Sequence, residues 1–323
     1  MYIMKIMSNK KNKLRILIPI LIGCTILIGT VWKIGVTNVW SSISMCNPHF
    51  LVVAVIILSL SIILKSFRWV TLFIDVKTID ACKVYLIGQI VNEIAPIGVG
   101  EATRIYMAKS KFGIPAGKTT VLVVIERVAD TTFLLAMAIP CLMMFTGGIH
   151  PLQIAVPVVI LLIGYTILLK PKLLHSVITP LIKLKSKREI VRNLISKISR
   201  FLKSLEQSVN LPYRRRILLQ VSVITIVAWC VEALGQSIIL RALGMEIQIF
   251  YMIIIIATAW ILGTFSFLPG GLGAREVVFS FLLNTQGIPL TIGMATALIY
   301  RGITYLLLGS SAFASLVSIT KLH

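Results

Sequence analysis

Leu268-Pro269-Gly270-Gly271-Leu272-Gly273 decides how this chain folds, together with its counterpart Ala95-Pro96-Ile97-Gly98-Val99-Gly100. Both contain P-x-G-x-G. Each is followed by G-I-P, at Gly113-Ile114-Pro115 and at Gly287-Ile288-Pro289. Twelve positions after each of those prolines an arginine stands in an apolar run, Arg127 in one copy and Arg301 in the other. The copies are offset by 173 residues, then by 174 after one inserted residue. Proline removes a backbone donor and glycine relaxes the chain, so a helix breaks at each motif. Ordinary turns also carry Pro and Gly, but turns do not explain the matching arginines.

The surroundings of the two motifs are apolar. Of 323 residues, 57% are hydrophobic and 13% charged, with a mean hydropathy of +0.96. Soluble domains carry roughly 25% charged residues. Disordered chains, disulfide-rich modules and ordinary soluble enzymes are thereby excluded, and an all-α polytopic integral membrane protein is expected. Apolar runs lie at 16–32, 50–64, 85–95, 119–145, 152–169, 217–240, 249–268, 277–283 and 292–319. Several approach the roughly 20 residues of a spanning helix. Tyr85–Ala95 and Val277–Leu283 are too short, and each adjoins a motif.

The charge is unbalanced, with 32 Lys+Arg against 11 Asp+Glu and a net +21. Of the basic residues, 27 fall at the N-terminus, in 65–83, 101–118 and 170–216, and at Lys321. The stretches 34–49, 146–151 and 284–290 carry none. This is the positive-inside pattern, and it argues for cytoplasmic loops rather than nucleic-acid binding. Tyr85–Ala95 is expected to enter from the cytoplasm, break at Pro96–Gly100 and return. The second motif would do the same from outside. Six crossings and two re-entrant hairpins follow, with both termini cytoplasmic; full crossing by the short segments gives about eight spans. The halves, about 81–145 and 249–319, would form an internal inverted repeat.

The N-terminal run could be a signal peptide, and Leu21-Ile22-Gly23-Cys24 loosely resembles a lipoprotein cleavage box. Apolar residues continue past Cys24 without a small-x-small site, so an uncleaved first span is expected. Five scattered cysteines and four scattered histidines suggest no disulfide framework, metal or cofactor. Between the halves, 170–216 is a basic linker. Its apolar positions recur at helical spacing over 181–209, as for a helix on an anionic membrane face or one packed against the cytoplasmic end of the bundle.

Ionisable residues at membrane depth are functional candidates. Lys33 and Arg241 lie at span ends and are expected to snorkel. Arg127, Arg275 and Arg301 lie at or beside the motifs, and Arg104 follows the first. The acidic candidates are Glu93, Glu101, Glu126, Asp130, Glu232 and Glu276, with Asn92 as a further polar position. Glu126, Arg127 and Asp130 share one broad helix face, either neutralising one another or forming an interior polar site. New half-helices are expected after Gly100 and Gly273, their N-termini attracting anions. Pro96, Gly98, Gly100, Pro269, Gly270, Gly271 and Gly273 would supply the irregular backbone. Such a pocket suits a lipid or polyprenyl phosphate. The carboxylates would recognise an amine on the headgroup or carry coupling protons.

Asn92-Glu93-x-x-Pro96-x-Gly98-x-Gly100-Glu101-x-x-Arg104, then Glu126-Arg127-x-x-Asp130, resembles the first half of the lysylphosphatidylglycerol synthase transmembrane family. Leu268 to Glu276, then Gly287-Ile288-Pro289 and Arg301, resembles the second half. Ala95 and Ile97 stand where Leu and Gly are expected. The resemblance implies a flippase-like membrane domain moving an aminoacylated lipid between leaflets. In the full-length proteins a separate soluble domain transfers lysine from charged tRNA. No stretch here corresponds to it, so this chain is not expected to catalyse that transfer alone. Related domains accompany glycosyltransferases acting on dolichol-type lipids, so the lipid stays open. Two further readings remain: a membrane-embedded enzyme using Glu93, Glu126 or Asp130 as acid or base, and a non-catalytic partner of a separate transferase docked on 170–216.

Overall fold

A computed structural model describes residues 10–73, 76–96, 98–141 and 214–320, with single positions 155 and 159. Most of the Leu152–Leu169 run, and the expected surface helix over 181–209, lie outside the described residues. Within them the regular structure is helical throughout, with ten α-helices and no strand.

The first expected span is a helix, α1 (Lys10–Ile34), and it does not run on straight. Gly35 takes φ 104, and the chain turns by 85° into α2 (Val36–Ser44). This short element falls in 34–49, a stretch marked in the sequence only by its lack of basic residues. It lies against the last helix, where Val39 is buried with Met294 and Ala295. The chain re-enters at α3 (Pro48–Leu72), with Pro48 in its first turn and the Asn47 side chain accepting from the His49 N–H at 3.0 Å. Removing such a cap costs about 1 kcal/mol. Asn47→Ala is therefore expected to lower the thermal midpoint of the detergent-solubilised protein without altering its helix content.

The two motif stretches are built alike. The first unit is α4 (Thr78–Ile94), a break, α5 (Val99–Phe112), the G-I-P turn and α6 (Ala116–Ala138). After α7 (Arg214–Ala242) comes the second: α8 (Ile249–Phe265), a 3-10 turn at Pro269–Gly271, α9 (Ala274–Thr285), the G-I-P turn and α10 (Leu290–Thr320). Helices α4 and α8 each have 17 residues, about 25 Å at 1.5 Å per residue, short of a 30 Å hydrocarbon core. Gly98 (φ 87) and Gly273 (φ 82) precede the half-helices. The second half-helix thus starts where expected, and the first starts at Val99, before Gly100. The left-handed turn falls on Gly98 instead, a conformation that side chains resist.

Packing between the units is reciprocal. The opening helix of the first, α4, packs on the closing helix of the second, α10, and α8 packs on α6. The turn at Pro269–Gly271 rests on α4. Helix α3 runs along α7, where Gly235 lets the Leu58 side chain close in.

The surface is inverted relative to a water-soluble protein. Val52, Ile56, Leu60, Ile63 and Phe67 form an exposed stripe on α3, and Leu306, Phe313 and Leu316 do so on α10. Arg68, Arg104, Glu126 and Glu232 are buried. Apolar groups outside and paired charges inside are what a lipid solvent selects. Among the described residues, three helices are long and apolar enough to span: α3, most of α7 and most of α10; the bent α1–α2 pair makes a fourth if it counts as one span. Helix α6 is long enough but carries Lys118, Glu126, Arg127 and Asp130.

Candidate functional site

The interior charges form two neighbouring groups. The first is a closed network around α6. Glu126 and Asp130 do face one way, as their four-residue spacing requires, but their partner is not Arg127. Arg68 on α3 reaches between them. Its Nη1 donates to Asp130 Oδ1 at 2.6 Å and to Thr225 Oγ1 at 2.8 Å; its Nη2 donates to Glu126 Oε1 at 2.7 Å and Asp130 Oδ2 at 2.9 Å. Arg104 donates to Glu126 Oε2 at 2.6 Å, and Trp229 Nε1 donates to Asp130 Oδ1 at 3.0 Å. The guanidinium of Arg104 lies over the Trp69 and Tyr85 rings, and Gly88 leaves room for its stem.

Arg68 corrects the charge reading. It and Lys65 counted with the cytoplasmic 65–83 cluster, yet Arg68 is 1% exposed and Lys65 pairs with Glu232 on α7. The missed signal is local: Trp69, Val70, Leu72 and Phe73 continue the apolar pattern of 50–64 beyond both residues. Glu232 also accepts from Tyr300 Oη at 2.6 Å.

The second group surrounds the two breaks. A cavity of about 150 Å³ lies between them. Gln89, Asn92 and Glu93 of α4 line it, with Glu101, Arg127 and Arg275. Gly98, Gly270, Gly271 and the indole of Trp260 complete the wall. Trp260 also borders two smaller cavities; Glu93 borders one of them and Arg275 the other. Trp260, Glu93 and Arg275 are therefore shared walls of three neighbouring cavities, together the chamber.

In both units a glutamate in the third position of the half-helix meets the arginine that follows G-I-P. Glu101 lies 2.6 Å from Arg127, and Glu276 lies 2.5 Å from Arg301. The surroundings differ. Arg127 is 40% exposed at its side chain, and Asn92 donates to Glu101 at 3.1 Å. Arg301 is turned away from the cavity: it donates to Tyr305 Oη at 2.8 Å and to the Gly270 carbonyl at 3.0 Å. The Gly273 N–H donates to Glu276 Oε2 at 2.7 Å, so the first turn of α9 is capped by its own carboxylate.

Arg275 has no such close pair. It lies over the Trp260 ring at 4.6 Å and the Tyr300 ring at 5.4 Å, and its Nε is 3.9 Å from Glu276 Oε1. Arg275 Nη1, Glu93 Oε2 and Trp260 Nε1 are buried without a hydrogen-bond partner among the described residues. Buried polar atoms are normally satisfied, so these are places where a ligand or water belongs. Groups of three metal-ligating side chains are absent among the described residues. Lys33 and Arg241 stay outside both groups; Lys33 is exposed, and Arg241 pairs with Glu246 at 3.2 Å.

The family model for the lysylphosphatidylglycerol synthase TM region matches residues 16–310. The chain belongs to that family. The match takes in the first broken unit, the second as far as residue 310, and every charged group just described. Relatives along nearly the whole chain include a UPF0104 membrane protein of Pyrococcus horikoshii, 22% identical over 313 residues, with 88% of this chain and 92% of that protein covered. A UPF0104 membrane protein of Methanothermobacter thermautotrophicus is 21% identical over 320 residues, covering 93% and 94%. Membership makes this a membrane protein; neither relative's name states an activity.

Proposed function

We propose that the chain is a lipid flippase. It would carry an anionic phospholipid, bare, aminoacylated or glycosylated, or a polyprenyl phosphate, between the leaflets of the cell membrane. The observation that carries this reading is the cavity between the breaks, where Arg275 and half-exposed Arg127 stand within a largely apolar bundle. A phosphate there gains charge-assisted bonds that water does not weaken. A groove of about 340 Å³ between α3, α4 and α10 adjoins the chamber at Ile62. Its apolar lining suits an acyl or polyprenyl chain while the headgroup occupies the cavity.

The reciprocal packing of α4 on α10 and α8 on α6 supports reading the units as an inverted repeat, with six to eight crossings and both termini cytoplasmic. Rocking one unit against the other would open the cavity to each side in turn. Arg104, Glu126 and Asp130 are then framework, as are Glu276 and Arg301. Arg127 and Arg275 contact the phosphate. A separate transferase supplying modified lipid remains a candidate partner.

The test uses the purified chain in liposomes with fluorescent phosphatidylglycerol, its lysyl ester and a polyprenyl phosphate. Losing one charge-assisted bond is worth about 1.5–3 kcal/mol. Arg275→Gln and Arg127→Gln should each slow leaflet exchange of the preferred lipid about tenfold or more, with folding retained. Exchange unaffected by both changes would sink the reading. Chemical conversion of a lipid would favour the enzyme instead.

A further inference from the structure

Among the described residues, the charges around the chamber pair one for one. Lys65 is closed on Glu232, Arg68 on Asp130, Arg104 on Glu126, Arg127 on Glu101 and Arg301 on Glu276. Arg275 and Glu93 are left over, 6% and 4% exposed. Both line the same cavity, and each has a polar atom without a partner among the described residues.

Among the described residues, each other charged group around Glu93 is committed, while Tyr85 and Gln89 of its own helix share a cavity wall with it as uncharged groups. From α3, Lys65 is held by Glu232, the carboxylate of α7; from α10, Tyr300 donates to that carboxylate too. Also from α10, Arg301 is held by Glu276, and Tyr305 accepts from Arg301 while donating to the Glu93 carbonyl at 3.4 Å. Arg127 of α6 is held by Glu101 of α5. From α8, Trp260 presents an uncharged indole. Among the described residues, Arg275 of α9 is therefore the cation left to balance Glu93.

An anionic headgroup drawn to Arg275 takes away that balance. The cavity then holds one negative charge too many at membrane depth, which is unfavourable without a counter-charge. Among the described residues, every other carboxylate around the chamber keeps a direct ion pair; Arg127 meets Glu101 through Nη2 and can meet a phosphate through its remaining nitrogens. We propose that binding of an anionic headgroup is coupled to uptake of one proton by Glu93, making this a proton-coupled transporter. The proton comes from water on the side where the headgroup enters, sits on Oε2, and leaves to water when the lipid departs. Glu93 is thus the coupling residue, and a proton gradient across the membrane drives net movement. This rests on the lipid-transport reading above.

Linkage fixes the sign. Where free Glu93 is ionised, each unit fall in pH should tighten binding about tenfold, because one proton enters with each lipid. The experiment is calorimetric titration of the full chain in detergent with short-chain phosphatidylglycerol, in buffers of differing ionisation enthalpy. About one proton taken up per lipid is expected. Glu93→Gln should still bind, with uptake near zero and affinity independent of pH; Glu93→Asp keeps a carboxyl and should keep the uptake. Binding by the wild type without proton uptake would overturn the coupling and leave transport standing. Uptake undiminished in Glu93→Gln would overturn the assignment of the proton to Glu93 and leave transport standing. No binding of phosphatidylglycerol at any pH, its lysyl ester and a polyprenyl phosphate also failing, would overturn the transport reading and this inference with it.

Discussion

Arg68→Ala should destabilise the folded protein by about 3–5 kcal/mol, the effect of stranding buried charge. The guanidinium makes four hydrogen bonds, to Asp130, Glu126 and Thr225, and it is 1% exposed. Without it, Glu126 keeps Arg104, but among the described residues Asp130 keeps only the indole N–H of Trp229 as a hydrogen-bond donor. A carboxylate in that position must be hydrated or protonated, and either disrupts the packing of α3, α6 and α7. Arg68→Lys should lose less but remain impaired, because one ammonium cannot span both carboxylates as a planar fork does. Arg68→Met with Asp130→Asn should recover part of the loss, since the stranded charge is gone. Equilibrium unfolding in mixed micelles would measure all three. A loss below about 1 kcal/mol, typical of solvated pairs, would mean that water reaches the network.

Arg68 also marks the limit of what the sequence discloses. The helical class, the two breaks and their spacing to Arg127 and Arg301 are legible because Pro and Gly constrain the backbone locally. Ion pairing is not local. Charge counting by segment treats Lys65 and Arg68 as loop residues, and only the packing of α3 and α6 against α7 brings them to Glu232 and Asp130. Likewise the four-residue spacing of Glu126 and Asp130 gives their shared face, while the identity of the cation between them depends on another helix. The motif alignment misleads slightly in register. At an offset of 173, Glu101 falls opposite Ala274. Counted from the glycines with positive φ, Gly98 and Gly273, Glu101 falls opposite Glu276, and each meets its own unit's arginine. Gly100 is needed for another reason: a Cβ there would collide with the Gly88 carbonyl oxygen on α4. Glu93 and Arg275 were visible as intramembrane charges, but that they are the pair left over around the chamber is a property of the assembled interior.

Gly270→Ala should be strongly damaging although it alters no charge. Gly270 has φ 54 and ψ 19, a left-handed conformation that an L side chain adopts at about 1–2 kcal/mol. An added Cβ would also lie 2.5 Å from the Glu93 carbonyl oxygen and 3.1 Å from its carbon. Those are backbone atoms at the end of α4, so no rotamer relieves the contact. Separating the two breaks adds about 1–3 kcal/mol of overpacking. It also pulls the Gly270 carbonyl off Arg301, which donates to it at 3.0 Å. Gly98→Ala is the control. Its φ is 87, yet nothing lies within 4 Å of where the new methyl would stand, so it carries the conformational penalty alone. The gap between the two variants therefore isolates the contact between the breaks. Because the cavity with Glu93 and Arg275 lies in that contact, Gly270→Ala should also reduce leaflet exchange per folded molecule, where Gly98→Ala reduces it less. Equal losses from the two, in thermal midpoint and in exchange, would mean that the second break is free to withdraw from α4 and that the chamber does not depend on their approach.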